Sequence, residues 1–145
     1  MSRPDPSVGH ALLDEQHRIL RARLEALEER FSAGDRDGVL SALDALREEV
    51  LVHFASEDAL MEAQAYPERS AHRASHGLFQ QDLERLKGEL CSRGLDESTG
   101  EAVRRRVPEW FDFHVRTNDA PLAQYLARRT AAGLVAAALR RARDP

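Results

Sequence analysis

The sequence predicts an all-α protein, an up-down-up-down four-helix bundle with an additional C-terminal helix, on three observations. Leu, Ala, Arg and Glu dominate the chain, and no alternating β-branched run or Asn-Gly hairpin signal interrupts them. Gly and Pro cluster at points that cut the chain into blocks of roughly 20 residues joined by short loops, the pattern of a helical bundle. Within each block apolar residues return every three or four positions, which lines one face of a helix.

The first helix carries the stripe Leu13, His17, Leu20, Leu24, Leu27, Phe31, and Gly34 and Gly38 bracket the loop that follows. The second carries Leu43, Leu46, Val50, His53, Glu57, Met61 and is expected to break at Tyr66-Pro67. In the third the stripe is His72, His76, Phe79, Leu83, Leu86, Leu90, with a break between Gly94 and Gly100. The fourth reads Val103, Val107, Trp110, His114; Pro108 either starts a shorter helix or frees the Arg104 carbonyl and kinks a longer one. Asp119-Ala120-Pro121 reads as a last break before the C-terminal helix. No internal repeat stands out, so residues 1–145 are read as one domain, a bundle over about 10–120 and a basic helix over about 121–143.

Charge is uneven along the 145 residues: 1–120 hold 16 basic and 24 acidic side chains, net −8, while 121–145 hold five Arg and one Asp, net +4. A total of −4 argues against nucleic acid as the main partner, since phosphate binding needs a basic face. The opening residues, Met-Ser-Arg-Pro-Asp-Pro, carry no apolar run for export, and the longest apolar run, Ala131 to Leu139, is too short to span a bilayer, so no membrane role is expected. The single Cys91, expected as a buried or loop thiol, excludes a disulfide framework and a thiolate metal cluster. Together these features point to a reducing, cytoplasmic setting.

Five of the six histidines, with Glu57, occupy positions that the helical period assigns to the interior. A buried imidazole or carboxylate without a partner costs several kcal/mol, on the order of 2–7. One core histidine is ordinarily satisfied by a backbone carbonyl, but hydrogen bonding alone would leave this many in a crowded polar core. A shared metal satisfies all of them together. Imidazole and carboxylate without thiolate suit iron, zinc or manganese, and carboxylates projecting from bundle helices bridge pairs of metal ions. Neutral imidazoles bring no charge, so a second carboxylate is wanted. Asp119 supplies it, five residues after His114, if the fourth helix loosens or ends there.

His17, the pair His53 and Glu57 in His-Phe-Ala-Ser-Glu, the pair His72 and His76, and His114 with Asp119 in His-Val-Arg-Thr-Asn-Asp together resemble the ligand pattern of the hemerythrins. Ser7-Val8-Gly9-His10 and Leu13-Asp14-Glu15-Gln16-His17 are similar to the bacterial members, and the resemblance runs from residue 7 to about 125. It implies a non-haem di-iron site that binds O2 reversibly. One iron would take His72, His76 and His114, and the other His17 and His53. Glu57, Asp119 and an oxo or hydroxo group would bridge them. The second iron is then one ligand short, and O2 would take the open position.

Such a pocket must stay dry, and Phe54, Trp110, Phe111 and Val115 are the apolar residues expected around it. Asp14 and Glu15 are candidate acceptors for the outer imidazole nitrogens. His10 is expected at the helix start or surface, outside the ligand set. The leading function is an O2 carrier, store or delivery protein, not an enzyme. The alternatives are an O2 or redox sensor signalling through the C-terminal helix, and a di-iron enzyme acting on peroxide or nitric oxide. That helix is expected to pack on the bundle, or else to serve self-association or a protein partner.

Overall fold

The computed structural model describes residues 7–143; residues 1–6, read above for an export signal, lie outside it. Helix α1 spans Ala11–Ser32, α2 Arg36–Ala63 and α3 Arg69–Arg93. The fourth rod is α4, Glu97–Glu101, a π-helical turn π1, Ala102–Arg106, α5, Val107–His114, a second π turn π2, Val115–Asp119, and α6, Ala120–Arg143. No strand occurs among the described residues. Turns of a few residues force neighbouring rods to run antiparallel, as the block pattern predicts.

The turns are tighter than the glycine spacing suggests. Gly34, at φ +70°, reverses the chain after α1, and Asp35 caps α2 by accepting the Gly38 N–H at 2.9 Å. Gly38 therefore lies inside the first turn of α2, where a Cβ would collide with the Asp35 carboxylate that caps the helix. The third break is likewise shorter than expected: Asp96 and Thr99 form a reciprocal capping box, so α4 already includes Gly100. A Cβ at Gly100 would lie 3.1 Å from the Phe31 ring and press it aside by a few tenths of an ångström.

The expected break at Asp119-Ala120-Pro121 is not a break. The Ala120 N–H reaches back five residues to the Val115 carbonyl, the Val107 N–H does the same to Ala102, and the helix runs on through both. Each proline, Pro108 and Pro121, comes two residues after a π turn. Proline lacks an N–H and crowds the carbonyl four residues back, so a locally widened turn is where a helix can absorb it. The fourth helix loosens instead of ending.

All six stripe residues of α1 are buried, as are those of α2 and α3. They build two apolar clusters. The larger runs from Leu20 through Phe31 on α1 to Val107, Phe111 and Val115 on the fourth rod. The smaller is Leu13, Met61, Leu122 and Leu126. On α1 and α2 the polar stripe positions fall between the two, on the fourth rod Asp119 does, and on α3 they precede the larger cluster. Only the first two turns of α6 join this packing. From residue 127 onward the helix is exposed apart from half-buried Ala136 and Ala137, and Leu134, Val135 and Leu139 are 65%, 60% and 55% exposed. Cys91 also differs from expectation: it is exposed, on the last turn of α3.

Candidate metal centre

The polar layer is built by the same period that builds the core. His17 follows Leu13 by one turn on α1, His53 and Glu57 are one turn apart on α2, and His72 and His76 one turn apart on α3. On the fourth rod the step from His114 to Asp119 would swing Asp119 about 140° away in a regular α-helix of 3.6 residues per turn. The π turn between them closes that gap and delivers both side chains inward. All seven groups are at most 5% exposed.

Their donor atoms form two overlapping sets: Glu57, His72, His76, His114 and Asp119, and His17, His53, Glu57 and Asp119, with all atoms of a set within 4.8 Å of one another. Both carboxylates belong to both sets. Asp119 lies 2.8 Å from His17 Nε2, 3.4 Å from His53, 3.1 Å from His72 and 3.0 Å from His114. Glu57 lies 2.5 Å from His53 Nε2 and 2.9 Å from His72.

Asp119 Oδ2 is hydrogen-bonded to His17 and His53, but the other close approaches do not have hydrogen-bond geometry. Both Glu57 oxygens, Asp119 Oδ1 and His72 Nε2 are buried and have no hydrogen bond of acceptable geometry. His76 Nε2 faces His114 Nε2 at 3.1 Å, ring nitrogen to ring nitrogen. Buried carboxylate and imidazole atoms left unpartnered at such distances are a donor arrangement that a cation between them would satisfy. Five imidazoles, two carboxylates and no thiolate suit non-haem iron, so the cluster is compatible with a di-iron site.

Protonation follows the same layout. Burial pulls His53 down, but hydrogen bonding and charge from Asp119 and Glu57 outweigh it and raise His53 to about 9; the same holds for His72, also to about 9. Burial and the neighbouring His114 and His72 rings drive His76 down to about 2. Burial pushes Asp119 up, yet four histidine contacts hold it well below the ordinary carboxylate range. A metal must displace the protons on His53 and His72. Loading at pH 7 is therefore expected to release close to two protons per chain from these rings, measurable in a weakly buffered indicator assay. Without metal, the raised histidines contribute stability that is complete below about 6.5 and lost as pH rises towards about 9. The denaturation midpoint of the metal-free protein should fall across that window.

Aromatic rings wall the layer. Phe54 stacks on His76 at 3.6 Å and Trp110 on His114 at 4.6 Å, Phe111 meets His17 edge-on at 5.9 Å, and Val115 is buried in the larger apolar cluster. His10 is outside the layer: it caps α1, its Nδ1 accepting from the Leu13 N–H at 3.4 Å. The outer-nitrogen partners differ from those expected. Asp14 accepts the Val8 N–H at 2.6 Å and Glu15 pairs with Arg18, whereas Gln16 Oε1 lies 2.8 Å from His53 Nδ1 and Ser75 Oγ 3.1 Å from His114 Nδ1. Gln16, three residues after Leu13 and four before Leu20, falls on the inward face by helical spacing, and that polar residue in an apolar step is the sequence signal for this role.

A bundle whose rods each turn histidine or carboxylate into one buried layer defines a class, the helical-bundle proteins with a donor cluster in the core that could hold metal. Within that class the chain belongs to the hemerythrin family: residues 8–126 match the model of the hemerythrin HHE cation binding domain. The bacteriohemerythrin of Ralstonia nicotianae is 34% identical over 124 residues, covering 84% of this chain and 85% of its own. That of Methylococcus capsulatus is also 34% identical, over 114 residues, covering 75% and 80%. A solved hemerythrin mutant shares the fold with a TM-score of 0.75 at 23% identity, covering 87% of this chain and 96% of its own.

Proposed function

We propose that this is a non-haem di-iron protein that binds O2 reversibly, as a carrier, store or delivery protein. The observation that carries this is the pair of overlapping donor sets sharing Glu57 and Asp119. In this proposal His72, His76 and His114 hold one ion, His17 and His53 the other, and both carboxylates hold the two together. The half with two histidines is then one protein ligand short, and a small molecule can enter there. When bound, the iron pair with its oxo or hydroxo bridge supplies reversible electron exchange with O2. The chain's own part is to neutralise the ions with two carboxylates, fix the imidazoles, and keep water out with Phe54, Trp110, Phe111 and Val115.

Purified protein is expected to hold about two irons per chain, and its reduced form to gain a visible charge-transfer band in air that disappears under vacuum. His17→Ala should lose one iron preferentially and abolish the band, while His10→Ala, which removes only a helix cap, should keep it. Equal effects of the two substitutions would sink the assignment.

We further propose one domain over 1–145, a bundle with an appended basic helix, in the cytoplasm, where the exposed Cys91 stays reduced. A sensor is favoured by one feature: α6 continues without a break from the π turn that delivers Asp119, so its exposed Leu134, Val135 and Leu139 are mechanically joined to the centre. That face is where a partner protein or a second copy would dock. Identical protease cleavage of α6 in diferrous and diferric protein, with no self-association, would remove this second reading. Sustained turnover of peroxide or nitric oxide would instead make the protein an enzyme.

A further inference from the structure

The outer nitrogens of the centre histidines are not treated alike. His72 Nδ1 is buried without a partner, and His114 Nδ1 faces the Ser75 hydroxyl, which can donate or accept. His53 is different: its Nδ1 lies 2.8 Å from Gln16 Oε1, Gln16 Nε2 donates to Ser56 Oγ at 2.9 Å, and Ser56 Oγ donates to the Val52 carbonyl at 2.9 Å.

Each link of that chain has only one polarity. A backbone carbonyl can only accept, so the single Ser56 hydroxyl proton is committed to Val52. Ser56 Oγ must then accept from Gln16, which turns the amide nitrogen towards Ser56 and leaves the amide oxygen for His53. An amide oxygen can only accept, so Nδ1 of His53 carries a proton. A neutral His53 must then present the bare lone pair of Nε2 to Glu57 and Asp119. An Asn or Gln amide is otherwise free to flip, and a flipped Gln16 would select the opposite tautomer and put an N–H where the lone pair belongs.

We propose that Gln16 and Ser56 form a positioning relay that fixes the His53 tautomer and thereby preorganises the two-histidine half of the centre. The relay rests on the reading of His53 as a metal ligand. It matters most in this half because only His17 and His53 supply nitrogen there, so one wrong tautomer removes half of the imidazole donors. Gln16 is 8% exposed and Ser56 half-buried, so the relay runs from the surface of α2 inward to the centre and its inner member is shielded from water.

The test uses zinc, which is diamagnetic, on the full chain. In zinc-loaded wild type the His53 Nδ1–H should give a downfield, slowly exchanging proton resonance. Gln16→Leu keeps the bulk but not the acceptor, so it should lose that resonance and bind the second zinc equivalent about 10–100-fold more weakly, with the first little changed. Gln16→Glu restores an acceptor and should recover the resonance, which a loss of packing alone would not predict. Ser56→Ala frees the amide to rotate and should weaken the second equivalent a few-fold, about 3-fold, by the same logic. A Gln16→Leu protein that keeps the protected resonance and both zinc affinities would overturn the relay while leaving the metal centre standing. Wild-type protein that takes up no zinc or iron would instead bring down the metal reading itself.

Discussion

Asp119→Ala should strip both metal positions at once and destabilise the metal-free fold by about 3–5 kcal/mol, the range for breaking a buried ion pair by removing one partner. Asp119 is fully buried and stands within 3.4 Å of ring nitrogens from α1, α2, α3 and the fourth rod. Its removal leaves His53 and His72 without one of the two carboxylates that raise them to about 9, so both shed protons near neutral pH and the layer loses its counter-charge. Glu57→Gln keeps volume and one acceptor oxygen, and Glu57 makes close approaches to fewer rings than Asp119 does. Its cost to the metal-free fold should be smaller, although it too should unsettle both metal positions. Metal analysis and urea midpoints at pH 7, read side by side, check both statements. An Asp119→Ala protein that still holds about two irons would mean that the carboxylates do not join the two donor sets.

The legibility of this molecule in its sequence followed periodicity. Where the chain is regular α-helix, the three-four spacing placed Leu13 through Phe31, Leu43 through Met61 and His72 through Leu90 on the inward face, and all of these residues are buried. The polar exceptions on those stripes announced the centre, because a histidine costs too much in a core to be there unpaired. What could not be read is whatever departs from that period or is left open by it. Trp110 is expected on the stripe and stacks on His114, yet Phe111, equally in step with Val107 and His114, is the more buried of the two, so the period alone does not choose between them. Pro121 looked like a terminator because proline ends regular helices, whereas π2 accommodates it and carries the helix on to Arg143. Asp14 and Glu15 are the candidates the sequence offers for the outer imidazole nitrogens, and Gln16 between them and His17 takes the role instead. On the helix only Gln16 faces α2, and the other two are spent on the N-terminal turn and on Arg18.

Leu122→Ala should cost about 2–5 kcal/mol, as a large-to-small change at a fully buried site, and should speed the loss of reduced iron in air. Leu122 is 0% exposed and packs with Leu13, Met61 and Leu126 in the smaller apolar cluster, which closes the polar layer at the end of the bundle away from the main core. The larger cluster protects the other side with many more side chains, so one truncation there leaves the layer covered; the smaller cluster has only four buried members. Water admitted through a cavity at Leu122 would reach Glu57 and Asp119 directly and compete for them. Leu134→Ala on the same helix is the control: 65% exposed, it should change stability by no more than about 0.5 kcal/mol. A chain ended after residue 127 should keep the fold and the centre, because burial on α6 stops at Leu126, whereas one ended at residue 120 should keep neither. Denaturation midpoints and the half-life of reduced protein in air separate these four proteins. Equal behaviour of Leu122→Ala and Leu134→Ala would show that the short cluster is no seal and that dryness at the centre depends on the aromatic walls alone.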